Sequence, residues 1–258
     1  MAAMEVVWKP YKFDASTLPT VKQELPVQHA MLRYKQPVNM WYTHPSYSEF
    51  DDKDMQKVLP GFQGLVTPLF KLWAEFLLYN NHYKTMPQPV RFMEVGGGFG
   101  CNFVGLAMSG IPKSNSTHDI IAYLPPNMKE DERNLYLMTF KHNIALTKKA
   151  VGTVNLHYVR TYTEFIKKKI EPESKNIILV NTQGLKDNPL VNLLATCWTK
   201  LMSKGVLMVI CNHASTTKES YEAVKTFLYA LSLHPNSTLQ VIEGCKSLPC
   251  PIFTIWKA

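Results

Sequence analysis

From Val90 onward the chain repeats one pattern: a short apolar run of strand length, then a stretch long enough for a helix. The apolar runs fall at 90–95, 119–124, 154–159, 176–181, 205–211, 239–243 and 252–256. Helical stretches are expected over 101–109, 130–148, 161–169, 189–202 and 218–233, with Leu135, Met138, Ile144 and Ala145 among the inner positions of the second. Apolar strands separated by helices need crossover connections, so the sheet should be mostly parallel and covered on both faces. No helix separates the last two runs, which fits an antiparallel pair at one edge. The expectation is an α/β fold: a seven-stranded, mostly parallel sheet with helices on both faces and an antiparallel last strand. Composition agrees, since only 19% of the 258 residues are charged, against about 25% in ordinary soluble domains.

The preceding residues read differently. Residues 1–63 lack a sustained period and carry Pro10, Pro19, Pro26, Pro37, Pro45 and Pro60, which suggests a proline-containing extension packing on a core formed by 64–258. Leu65, Leu69, Leu72, Trp73, Phe76 and Leu77 recur at helical spacing before Pro87 and Pro89. Met1 to Asp14 holds Glu5, Lys9 and Lys12 and no continuous apolar stretch, unlike a secretory signal. No apolar run approaches the roughly 18 residues of a membrane span. The five cysteines form no C-x-x-C pair, and Cys245 and Cys250 have no partner pair at zinc spacing, so no metal site is expected. A reducing, cytoplasmic setting without membrane contact follows. The net charge of +8 favours an anionic partner such as RNA.

The segment that points to chemistry is Glu94-Val95-Gly96-Gly97-Gly98-Phe99-Gly100, at a strand-to-helix junction. Glycines allow positive φ and let a ligand approach the backbone, and the following helix start offers free N–H groups. A structural turn is the plain alternative, but the buried strand before it and the acid two residues ahead of the first glycine favour a nucleotide-type ligand. Here the chain resembles the class I S-adenosylmethionine-dependent methyltransferases, whose first motif has the form acid-x-Gly-x-Gly-x-Gly. Glu94, Gly96, Gly98 and Gly100 match it, over a resemblance covering about 64–258. It implies a Rossmann-like domain that binds S-adenosylmethionine through Glu94, Gly96, Gly97, Gly98 and Gly100. The dinucleotide fingerprint spaces its glycines as G-x-G-x-x-G, and Phe99-Gly100-Cys101 has no small residue at the last position, which disfavours NAD.

The family pattern is incomplete. Its second strand ends in an acid that binds the ribose hydroxyls, whereas this one ends Ala122-Tyr123-Leu124-Pro125-Pro126. Losing hydrogen bonds to that charge costs about 1.5–3 kcal/mol, and Tyr123 is left either to stack on an adenine or donate one hydrogen bond, or to serve as a buried core residue. Asn181, at the end of strand four, stands where oxygen and nitrogen methyltransferases place Asp or Asn. With Gln183 and Gly184 it also echoes the Asp-x-Gln-Gly segment of FkbM-type sugar methyltransferases. Against the Lys-Asp-Lys-Glu tetrad of viral cap ribose methyltransferases, Lys71 fits the first lysine and Asn181 the aspartate. Ile210 or Cys211 stands at the second lysine and no acid occurs over Ser247 to Pro251, so the active site is degenerate by that standard. His213, just after strand five, is a candidate base. His157 reads as structural, and His142 and Asp187 as surface residues. Lys167-Lys168-Lys169 with Lys148-Lys149 forms a basic cluster suited to phosphates.

Methyl transfer depends mainly on aligning donor and nucleophile, so a missing tetrad does not exclude catalysis. The expectation is S-adenosylmethionine-dependent methyl transfer to RNA, such as a cap ribose, or to another anionic acceptor. The alternative is a catalytically inactive methyltransferase fold kept as a binding or scaffolding module with a protein partner.

Overall fold

The computed structural model describes residues 87–96, 103, 115–123, 127–147, 152–182, 187–210, 218–233, 237–242 and 252–257. The proposed extension over 1–63 and the helical stretch ahead of Pro87 lie outside the described residues. The elements are β1 (Arg91–Val95), β2 (Thr117–Tyr123), α1 (Glu130–Thr147), β3 (Thr153–Val159), α2 (Tyr162–Lys169), β4 (Lys175–Asn181), α3 (Asp187–Lys200), β5 (Leu201–Ile210), α4 (Lys218–Ser232), β6 (Thr238–Ile242) and β7 (Ile252–Trp256). They form one seven-stranded sheet in the order β3-β2-β1-β4-β5-β7-β6. All pairs from β3 to β5 are parallel. β7 runs antiparallel to both of its neighbours, β5 and β6.

This order places the site. The chain leaves β1 towards β2 and β3, then returns and leaves β4 in the opposite direction towards β5. Right-handed crossovers therefore put α1, between β2 and β3, and α3, between β4 and β5, on opposite faces. Helix α3 packs against both α2 and α4, so these three make one layer.

That layer is held by apolar periodicity. Leu190, Leu193, Leu194 and Cys197 are spaced to share one stripe of α3. They are buried in one cluster with Met93 and Val95 of β1, Ile178 and Val180 of β4, and Leu207 and Val209 of β5. The alternate strand residues, including Phe92, Ile120, Ile177, Leu179 and Met208, are buried with Phe103 and Phe140. Among them His118 has no exposed surface and its ring nitrogens have no hydrogen-bond partner among the described residues. Its ring centroid lies 5.6 Å from Phe92 and 5.3 Å from Phe103. Burial, modulated by Asp119 and Lys175, lowers its pKa to about 4, so the imidazole is neutral near pH 7.

Two details depart from the sequence reading. Met138 and Ala145 of α1 are exposed, while Phe140 is buried. Leu135 to Met138 is a continuous apolar run, which goes right round a helix and marks no face. Helix α3 ends at Lys200 instead of Met202, and β5 begins at Leu201. Leu201 pairs with Lys175 and Val206 with Ile177, a register shift over which β5 takes extra residues. Lys204 there has φ 61. A Cβ on Gly205 would lie 2.8 Å from the Asn176 carbonyl oxygen, so glycine permits the strand to re-enter the sheet. No helix among the described residues is long and apolar enough to cross a membrane.

Candidate functional site

In an open α/β sheet the ligand crevice lies beyond the carboxyl ends of the strands, where successive connections diverge. Here that place lies between β1 and β4. The chain leaves β1 at Gly96, in the left-handed region with φ 82, where a side chain would be strained. The Gly96 N–H donates to the Ile121 carbonyl at 3.0 Å, tying the loop to β2. On the other side, a Cβ at Gly96 would come within 2.9 Å of the Asn181 carbonyl oxygen and 3.3 Å of the Asn181 Cβ. The glycine is thus demanded by both its backbone angle and its neighbour.

Asn181 ends β4 and is half-buried. The residue after it, Thr182, donates from both its N–H and its Oγ1 to the Ile210 carbonyl at the end of β5, each at 3.1 Å. These bonds fix the direction in which the chain leaves β4. Glu94 lies two residues before Gly96 and is fully buried.

Tyr123 ends β2 and is 43% exposed. Its aromatic ring lies 6.3 Å from that of Tyr162. Tyr162 opens α2. Burial pushes its phenol up to about 12, helped by the charge of Glu94 and by Tyr123, and opposed by a hydrogen bond with the Tyr123 backbone. Its hydroxyl therefore stays protonated near neutral pH and can both donate and accept. The sequence reading missed Tyr162. Its position directly after the third strand, at the ligand edge of a parallel sheet, was the available signal.

The structure thus places Glu94, Gly96, Tyr123 and Asn181 at the carboxyl ends of β1, β2 and β4, with the Tyr162 ring beside that of Tyr123. Gly97, Gly98, Gly100, Lys71 and His213 lie outside the described residues, as do Gln183, Gly184, Cys211 and residues 247–251. His142 is exposed, as expected. His157 sits inside β3 and bonds to Asp119, away from the crevice.

No family model matches the chain, and no curated protein matches it. Solved structures do. The O-methyltransferase TomG from Streptomyces achromogenes, in complex with S-adenosylmethionine, superposes with a TM-score of 0.54 at 11% identity, covering 93% of this chain and 92% of TomG. A Streptococcus mutans structure assigned as a methyltransferase, in complex with S-adenosylhomocysteine, gives 0.50 at 15% identity, over 73% of this chain and 97% of that one. A Clostridium thermocellum structure assigned as an rRNA methylase gives 0.50 at 15% identity, over 70% and 96%.

The fold is that of the class I methyltransferases. The strand order, the antiparallel β7 and the glycine turn at the divergence of β1 and β4 are all parts of this methyltransferase fold. Within it, Gly96 has a positive φ and no room for a Cβ beside Asn181. The tip of β2 presents the partly exposed ring of Tyr123.

Proposed function

We propose that the chain is an S-adenosylmethionine-dependent methyltransferase whose donor lies across the carboxyl ends of β1, β2 and β4. The observation that carries this reading is Gly96, left-handed and pressed against Asn181 where the connections diverge. Bound S-adenosylmethionine would supply an electrophilic methyl group on a positively charged sulfur. Gly96, with Gly97, Gly98 and Gly100 of the same loop, would let the donor reach the backbone. Tyr123 offers a ring face to the adenine, and Tyr162 a neutral hydroxyl beside it. Asn181 supplies an amide that both donates and accepts, suited to orienting an acceptor hydroxyl or amine. Catalysis in such a site rests on alignment, and Asn181 needs no proton of its own to provide it.

For the acceptor we favour RNA, including a cap ribose. The support is the net charge of +8 and the exposed Lys167, Lys168 and Lys169 at the end of α2. Lys71 would be the lysine of such a site and His213 a base beside it. One observation favours a second reading, an inactive binding module with a protein partner. At the tip of β2, Tyr123 replaces the carboxylate that would hold the ribose.

Calorimetric titration of the full chain with S-adenosylmethionine, followed by methyl transfer to capped and uncapped RNA, tests both readings. Donor binding together with labelled RNA supports the enzyme. Donor binding without transfer to RNA or to small anionic acceptors supports the binding module. No binding at millimolar donor overturns the methyltransferase reading.

A further inference from the structure

A second cavity, of about 250 Å³, opens at the opposite edge of the sheet, beside the amino ends of the strands. Arg91 is the first residue of β1 and Lys175 the first of β4, and α2 arrives there with Lys169. The floor is an ionic network. Asp119 of β2 is almost fully buried and pairs with the Lys175 ammonium. It also accepts from His157 Nε2 at 2.9 Å and Asn155 Nδ2 at 3.1 Å. An ionised carboxylate only accepts, so Nε2 carries the His157 proton. Phe165 supplies an apolar wall, its ring 4.8 Å from that of His157.

The charges do not cancel at the mouth. Asp119 is committed to Lys175, which leaves Arg91 and Lys169 facing Glu171 as the remaining acid of the lining. Neither the Arg91 guanidinium nor the Lys169 ammonium has a hydrogen bond or ion pair among the described residues. Lys167 and Lys168 extend the positive rim. They outweigh the partial negative charge of the α2 carbonyl end, which is only about half an elementary charge. A planar guanidinium beside an ammonium matches phosphate oxygens, and the guanidinium can bind two of them at once. The volume is below the roughly 300–1,000 Å³ of pockets for whole drug-sized ligands, so the cavity takes a phosphate with the sugar next to it, and the rest of a nucleotide would lie outside.

The geometry points to a phosphate-binding subsite at the amino edge of the sheet, with Arg91 and Lys169 holding the phosphate above the Lys175–Asp119–His157 floor. It shares no residue with the glycine-turn site, so donor binding there is tested separately, although Lys169 also belongs to the basic cluster that supports RNA as acceptor. The phosphate belongs either to a free nucleotide or to an RNA backbone, and the test separates the two.

The full chain is titrated with inorganic phosphate, adenosine 5′-monophosphate and a short oligouridylate, without methyl donor. Binding of phosphate and the mononucleotide is expected, weakened about a hundredfold in the Arg91→Gln, Lys169→Gln double variant, because each charge-assisted contact is worth about one order of magnitude. Both residues are exposed, so the variant should keep its melting temperature and its affinity for S-adenosylmethionine. Lys225→Gln, on α4 and paired with Glu222, should leave phosphate binding unchanged. Tighter binding of the oligouridylate, declining with salt, identifies RNA as the source. Equal or tighter binding of the mononucleotide identifies a free nucleotide. Absence of binding by all three probes, or binding that the double variant leaves unaltered, overturns the subsite.

Discussion

The Gly96 backbone and the Asn181 carbonyl are so close that a methyl group added to Gly96 would stand 2.9 Å from that oxygen. The contact joins the first turn of the glycine loop to the tip of β4, across the divergence of the sheet. It makes Gly96 a structural requirement, and the proposed donor site would add a functional one.

Replacing Gly96 with alanine should therefore act twice. The left-handed backbone and the close carbonyl predict a loss of about 1–3 kcal/mol in stability, seen as a lower urea midpoint. Calorimetry should also show weaker S-adenosylmethionine binding than the stability loss explains, because the turn must shift away from Asn181.

Tyr162→Phe removes a hydroxyl without changing the ring. Stability should change by about 1 kcal/mol or less, the net worth of a typical hydrogen bond. Affinity for S-adenosylmethionine should fall by several-fold, and further with Tyr123→Ala, whose ring is exposed at the same edge. Unchanged affinity in both variants would remove the two tyrosines from the donor site.

His118 makes stability depend on mild acid. Its folded pKa is lowered to about 4 from 6.5. Between these values the unfolded chain takes up a proton that the folded chain refuses. Its contribution is present above pH 6.5 and is lost as pH falls towards 4, by about 3 kcal/mol. Urea titrations at pH 7, 6, 5 and 4 should show this decline, and His118→Leu should flatten it. An equally steep decline in the variant would assign the effect to other groups.

Asp119 and Lys175 should behave as a unit. Asp119→Asn leaves a buried ammonium without its counter-charge, which costs about 3–5 kcal/mol. The double variant Asp119→Asn, Lys175→Met should recover much of that loss, measured as a double-mutant cycle in urea. Burial pushes the Asp119 carboxyl up, but its bonds from Lys175, His157 and Asn155 hold it below the usual carboxylate range. This contribution is complete above the unfolded carboxylate pKa, near pH 4, and disappears as pH falls further through the folded value.

The strands and their order of connection were legible because each buried run carries its own apolar signature. Ile177 to Val180 reads as a central strand, and Glu94 to Gly96 announces a turn at the end of β1. Three kinds of information were not local. The apolar run at Leu135 to Met138 names no face, so the burial of Phe140 over Met138 is decided by the sheet beneath it. The end of α3 at Lys200 depends on Gly205 passing the Asn176 carbonyl, a contact between β4 and β5. Asp119, Lys175 and His157 are far apart in sequence, and only the parallel register of β2 with β3 and the entry of β4 bring them together. Tyr162 was obscured in the same way, since only the fold brings it beside Tyr123 of β2 and within reach of the Glu94 charge on β1.

β7 lies between β5 and β6, although it follows both along the chain. During synthesis, β6 emerges before the strand that is to carry it, and β5 waits with an unpaired edge. Until residues 252–256 leave the ribosome, that edge is open to any passing strand. A chain lacking residues 252–256 would thus leave β5 without the strand that covers its edge, and β6 without a neighbour in the sheet.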